Sequence, residues 1–283
     1  MSSIVYDCTV ESQRREGLAH AKKAIDSKQV IVMPTDTVYG IAADAFSPVA
    51  VATLLAAKGR GRSMPPPVLI QRLQTLDGLA TEISDDARKL ADTFWPGGLT
   101  LIFHAQPSLD WDLGDAKGTV ALRMPDDALA LDLLTLTGPL AVSSANRTGQ
   151  PTPATVQGTK EQLGDVVEVY LGEGERPRSQ EDAGGDVQSL PSTIVDATVS
   201  PLRVVRAGAI SLARLREAVP SVLGLGEEPP AEVAEPEGAE TEVSERAPTE
   251  AETSETTESE TTEDASPAAE TASEAPAAGK PQA

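Results

Sequence analysis

The sequence predicts an α/β domain built on one large, twisted mixed sheet flanked by helices, followed by a disordered acidic C-terminal tail. Three observations predict it. Short β-branched runs such as Val30–Met33, Leu99–Phe103 and Ser192–Val195 alternate with amphipathic stretches of helical period as far as residue 219. Those runs are cut off by Pro34, by Pro96-Gly97-Gly98 and by hydroxyl-rich turns. Charge is also spread unevenly: from Glu227 to Ala283 there are 17 acidic residues against Arg246 and Lys280, which is −15 of the formal −21 and leaves −6 for the rest. That tail holds no aromatic residue and only two valines, too little apolar surface to offset the entropy of ordering it. We place the folded domain at residues 1–220 and the tail at 221–283.

Taken in order, Ile4–Tyr6 forms a short edge strand. Glu11–Ser27 puts Leu18, Ala21, Ala24 and Ile25 on one face and reads as a helix. The strand Val30–Met33 stops at Pro34 and feeds the turn Thr35-Asp36-Thr37, then Tyr39-Gly40. Pro48 opens a helix over Val49–Ala57, which ends by presenting Lys58, Arg60 and Arg62. Pro65-Pro66-Pro67 is a rigid extended connector into the buried strand Val68–Ile70. Ser84 caps a helix that has Asp85 and Asp86 at its positive end and Ala87, Leu90, Ala91 and Phe94 as its stripe. Leu99–Phe103 and Thr119–Leu122 are strands, joined by a loop that carries Trp111 and several aspartates. Asp127–Leu136 is an apolar helix, and the strand Leu140–Val142 runs into the polar turn Ser143-Ser144-Ala145-Asn146. Thr155–Leu163 is helical, Val166–Leu171 a strand and Gly172–Ser189 a mobile loop. Ser192–Val195 and Arg203–Arg206 are the last strands, and Ser211 caps a closing helix through Val219.

Composition excludes several classes. Cys8 is the lone cysteine, so there is neither an internal disulfide framework nor a cysteine-based zinc site, and a reduced cytoplasmic setting fits. The N-terminus lacks a long apolar segment, which predicts a soluble chain with neither signal peptide nor membrane helix. The common phosphate-binding and metalloprotease signatures are missing, and Asp110, Asp112 and Asp115 lack calcium-loop spacing, so they read as a solvated loop.

What remains is hydroxyls, an amide and cations at strand ends. Lys58, Arg60 and Arg62 repel one another unless an anion with several negative charges lies between them, which points to a polyphosphate. Thr35, Thr37, Thr119, Arg123, Ser144, Asn146, Thr152, Ser192, Thr193 and Arg206 lie where strands give way to loops, the place where open α/β sheets gather ligands. Together they make a polar site for a small zwitterion and a phosphate.

The segments PTDTVYG, KGRGR, FWPGGLTL, VALRMP, SSAN and PSTIVD, in that order, resemble the YrdC-like family, the bacterial threonylcarbamoyl-AMP synthases, over roughly Glu16–Ser211. One departure is Ser63-Met64 and three prolines after the cations, where many members have Asn-Pro-Leu. The resemblance implies a single YrdC-like catalytic domain. Its reaction condenses L-threonine, bicarbonate or CO2, and ATP into threonylcarbamoyl-AMP and pyrophosphate, for the threonylcarbamoyladenosine modification beside the anticodon of tRNA. It implies Lys58 and Arg60 as the catalytic, charge-neutralising pair. ATP would be held by Lys58, Arg60, Thr119, Ser144, Asn146, Thr152 and Arg206. Threonine would be held by Thr35, Thr37, Arg123, Ser192 and Thr193, with Thr35 and Thr193 the weaker assignments. Mg2+ would ride mainly on the ATP phosphates, with no protein metal site. A tRNA-threonylcarbamoylation complex would take the product downstream.

Two other readings compete. Relatives present a concave basic surface that accepts duplex RNA, which makes weak RNA binding a second role, although the negative domain and tail argue against it as the main one. The other is the carbamoyl-adenylate chemistry of hydrogenase-maturation carbamoyltransferases, whose zinc-finger and acylphosphatase-like segments this chain lacks.

Overall fold

A computed structural model describes residues 3–177 and 190–229 of the 283-residue chain. Eleven strands and seven helices are formed by these residues. In chain order they are β1 (Ile4–Asp7), α1 (Glu11–Asp26), β2 (Ile31–Met33), β3 (Gly40–Asp44), α2 (Pro48–Lys58), β4 (Val68–Leu69), α3 (Leu76–Leu79), β5 (Ala80–Thr81) and α4 (Asp85–Phe94). Then come β6 (Leu99–Ala105), β7 (Thr119–Arg123), α5 (Ala128–Thr137), β8 (Leu140–Ser144), α6 (Val156–Leu163), β9 (Val169–Gly172), β10 (Thr193–Asp196), β11 (Arg203–Arg206) and α7 (Leu212–Ala218).

The strands build one mixed sheet in the order β1-β9-β2-β3-β8-β4-β7-β6-β10-β11, with β5 paired to β6. Strands β1 and β2 pair in parallel with β9, and β10 pairs in parallel with β6, whereas β3 lies antiparallel to both β2 and β8. Both faces are covered. Because side chains alternate along a strand, Ile31 and Met33 join α1 and α5 in one apolar layer, while Val32 joins Val51, Leu54 and Leu55 of α2 and Leu90 of α4 in the other.

The helix starts follow their caps. Ser47, Ser84, Asp127, Thr155 and Ser211 each accept a hydrogen bond from a first-turn backbone N–H through the side chain. Gly59 closes α2 in the left-handed region, at φ 62°.

Several expectations need correction. The stretch after Tyr39, where the pattern predicts no strand, is β3; Ile41 and Ala43 face one layer and Ala42 the other, and small residues disguise the alternation. Gly40 is required there, since a Cβ would lie 2.5 Å from Val142 Cγ1. The turn Leu73–Thr75, α3 and β5 were not foreseen, and Val166 lies in a 3-10 turn ahead of β9 rather than within it. The boundary at 220 falls too early: Val222 and Leu223 are buried, and Leu223 exchanges backbone hydrogen bonds with Leu202 and Val204. The expected disordered tail otherwise lies outside the described residues, as do residues 178–189 of the expected mobile loop. The start of that loop is firmly held. Arg176 is buried, ion-paired to Asp127 at 2.9 Å and to Glu173 at 3.1 Å, and it donates to Thr35 O at 2.7 Å. No helix among the described residues is long and apolar enough to cross a membrane.

Candidate active site

A cavity of about 290 Å³ opens over the middle of the sheet, where the ends of β2, β7 and β8 meet the start of β10. Eight of the singled-out residues line it: Thr35, Thr37, Arg60, Thr119, Arg123, Ser144, Ser192 and Arg206. Pro65, Pro66, Pro67, Ile102, Leu113, Val142 and Ile194 supply apolar wall, so the proline connector is itself part of the site.

Each cation behaves differently. Arg60 donates through Nη1 to Ser143 Oγ at 2.9 Å, while its Nε is buried without a hydrogen-bond partner. Burial pulls its pKa down from the usual guanidinium range. Arg123 is tied on three sides, by Nε to Gly97 O at 2.9 Å, by Nη1 to Thr37 Oγ1 at 2.9 Å and by Nη2 to Asp36 Oδ1 at 2.6 Å. A guanidinium has five N–H groups, so two remain. Arg206 grips Ser192, donating from Nε and Nη2 to Ser192 O at 3.1 and 2.6 Å and from Nη2 to Ser192 Oγ at 3.0 Å. Its pKa is lowered by burial and then by the neighbouring positive charges of Arg123 and Arg60. Three guanidiniums thus face one cavity, and among the described residues no carboxylate lines it.

Lys58 does not line this cavity. It is buried at the end of α2, where Nζ donates to Ser144 O, to Asn146 O at 2.6 Å and to Asn146 Oδ1 at 3.4 Å. Burial, then Arg60, pulls its amine down to about 8. The expectation that Lys58, Arg60 and Arg62 gather around one polyphosphate is therefore corrected: Arg60 alone of the three lines the cavity, Lys58 is folded beneath the serine turn, and Arg62 lies outside in ion pairs with Asp112 at 2.7 Å and Asp115 at 3.5 Å. The aspartate loop is fastened rather than loose. Asp115 N donates to Arg62 O at 2.8 Å, and Trp111 stacks on Phe46.

Three further placements depart from the sequence reading. Asn146 serves the turn, donating to Arg147 O and Gln150 O and accepting from Lys58 and Thr152, and neither Asn146 nor Thr152 lines the cavity. Thr193 points away, because alternation on β10 gives the cavity Ser192 and Ile194; its hydroxyl donates to Ile210 O and accepts from Ile210 N. Thr35 reaches the wall but uses its hydroxyl locally, donating to Val38 O at 2.6 Å and accepting from Val38 N and Thr37 N. Sequence reasoning also passed over Asp36, Thr100 and Ser143. Thr100 is buried and its hydroxyl lies 2.7 Å from Ser192 Oγ. Its signal was a hydroxyl inside the apolar run LTLIF.

The chain matches the Sua5/YciO/YrdC family profile, described as telomere recombination, over residues 23–208. It belongs to the Sua5/YciO/YrdC family. A relative from Mycobacterium leprae, provisionally named a threonylcarbamoyl-AMP synthase, is 50% identical over 215 residues, covering 76% of this chain and 93% of the relative. A threonylcarbamoyl-AMP synthase of Pyrococcus abyssi is 32% identical over 192 residues, 68% of this chain and 54% of the relative. Among solved structures of Sua5/YciO/YrdC proteins, P. abyssi Sua5 complexed with L-threonine superposes with TM-score 0.69 at 30% identity, covering 78% of this chain and 62% of that one.

Proposed function

We propose that this chain is an L-threonylcarbamoyladenylate synthase, a cytoplasmic nucleotidyltransferase that joins L-threonine, bicarbonate or CO2, and ATP and releases pyrophosphate. The observation that carries the reading is the cavity with three arginines and no carboxylate wall, in which Arg60 Nε is buried unpaired and Arg123 keeps two N–H groups. Such a site suits an amino-acid carboxylate beside a polyphosphate. The relatives' names and the L-threonine in P. abyssi Sua5 support the same substrate.

The chemistry divides into two bond-forming steps. Carboxylation of the threonine amine by bicarbonate gives a carbamate and water. A carbamate oxygen then attacks the α-phosphorus of ATP in line, and the bond to pyrophosphate breaks. No protein nucleophile is required; positioning and charge neutralisation carry the catalysis. Arg123 and Thr37 hold the threonine, and Ser192 stands beside them. Arg60, Arg206, Thr119 and Ser144 face the nucleotide, with Arg60 neutralising charge that builds on the phosphates. Lys58, Asn146 and Thr152 act one step back, by shaping the turn that presents Ser144.

Among the described residues no cluster of three His, Cys, Asp or Glu side chains could hold a metal ion. Mg2+ would arrive on the ATP phosphates. The adenylate would pass to a tRNA-threonylcarbamoylation complex. The test is pyrophosphate release from labelled ATP by the purified protein. Release that requires both threonine and bicarbonate supports the reading; release indifferent to either overturns it.

A further inference from the structure

We propose that Asp36 is a positioning residue of the threonine subsite, acting through Arg123. The inference rests on the function proposed above. Asp36 does not line the cavity. Its Oδ1 accepts from Arg123 Nη2 at 2.6 Å and from the backbone N–H of Asp126 at 3.0 Å, so one carboxylate oxygen joins the turn after β2 to the turn after β7. With Gly97 O on Nε and Thr37 Oγ1 on Nη1, the guanidinium is fixed at three separate points around its plane. A planar group held at three points resists rotation, so the two uncommitted N–H groups, one on each terminal nitrogen, keep a fixed orientation in the cavity wall.

Asp36 also decides how charge is shared within the cavity. Among the described residues Arg123 is ion-paired to Asp36, whereas neither Arg60 nor Arg206 forms a carboxylate pair. Arg123 is therefore balanced before any substrate enters, and the uncompensated positive field belongs to Arg60 and Arg206. This separates an amino-acid end, where direction matters, from a phosphate end, where charge matters. Removing Asp36 frees Nη2 to swing and leaves the Asp126 N–H without its acceptor, so threonine binding should suffer while ATP binding does not.

The experiment compares Asp36→Ala and Asp36→Asn with wild type, alone and combined with Arg123→Lys, measuring KM for threonine and for ATP, kcat and melting temperature. Asp36→Ala should raise the threonine KM about tenfold or more with the ATP KM within about twofold, the size of one lost charge-assisted contact. Asparagine keeps an oxygen for both donors and should recover most of that loss. In the Arg123→Lys background the alanine effect should shrink severalfold, because the group being positioned has gone. A threonine KM unchanged in Asp36→Ala overturns the proposal, as do equal rises for both substrates, a loss that asparagine does not repair, or an undiminished alanine effect in the Arg123→Lys background. Threonine that does not bind wild type overturns the reading of the site itself, and this assignment falls with it.

Discussion

Two turns at the floor of the cavity have nearly the same recipe and are stabilised in opposite ways. Each follows a strand, β2 or β8, and each is rich in hydroxyls. The Thr35–Val38 turn is organised largely from within: the Thr35 hydroxyl bonds to Thr37 and Val38, and ties from Arg123, Arg176 and the Asp126 backbone N–H hold it to its surroundings. The Ser143–Asn146 turn has a backbone bond from Asn146 N to Ser144 O at 2.9 Å but no hydroxyl knot, and it closes on the ammonium of Lys58, delivered from the end of α2. A hydroxyl can shape its own loop at no electrostatic cost. A buried cation can do so only where carbonyl oxygens replace its water. The first turn should therefore tolerate changes elsewhere, and the second should fail when one distant side chain is altered.

That contrast can be broken most forcefully at the cations. Arg60→Ala should lower turnover by roughly two decades or more, the scale of removing a charge-stabilising group from a transition state, with a melting temperature close to wild type; normal turnover would remove Arg60 from the phosphates. Next in size are the substrate affinities. Arg123→Lys loses the planar fork and should weaken threonine more than ATP, while Ser144→Ala should do the reverse, each by roughly one to two decades. Equal losses for both substrates in both variants would mean that the cavity has no amino-acid and nucleotide ends.

Lys58→Met should act on the fold as much as on the rate. Leaving the Asn146 carbonyl without its donor, and Ser144 O with the Asn146 N–H alone, costs about 1–3 kcal/mol, hence a fall in melting temperature of roughly 2–12 °C. An unchanged melting temperature would show that the serine turn stands without its lysine. The same residue gives a pH signature. Its folded pKa, about 8, lies below the ordinary lysine value of 10.5, so between those values the unfolded chain binds the extra proton. This group's contribution to stability therefore rises as pH goes from about 8 to 10.5. Melting curves of wild type and Lys58→Met across that window should diverge in slope; parallel curves would deny the depressed amine.

The smallest effects concern the chain's end. Shortening to residue 220 removes Val222 and Leu223 from the core and should cost several degrees, whereas a chain ending at 229 should keep both melting temperature and rate. A loss at 229 would mean that the acidic segment contributes to the fold.

Most of the fold was legible because its long elements announce themselves: α1 by its period, α2 by Pro48 and its period, α4 by its period and the Ser84 cap, α5 and β6 by their apolar runs. What escaped was short or made of small residues, as in β3 and β5, where alanine carries little periodic signal. At the site, sequence could name polar residues at strand ends but not their direction. Thr193 and Ser192 are neighbours, and alternation alone sends one to the cavity and the other behind it. Lys58 and Arg60 looked equivalent, yet two residues of separation beyond a helix end put one under the serine turn and the other in the pocket. Arg176 was unreadable, since its burial depends on Asp127 and Thr35, both remote in sequence.

The strand order has a consequence for the life of the chain before it is an enzyme. Strand β1 has its partner in β9, and Ile4 sits beside Val169; β6 likewise waits for β10, with Leu99 beside Thr193. A ribosome therefore releases the first half of this sheet long before its neighbours exist. Pairings this distant close slowly, and unpaired apolar edges invite association with other chains. The nascent protein must pass most of its synthesis as an open sheet, and refolding in the test tube should show the same slow final closure.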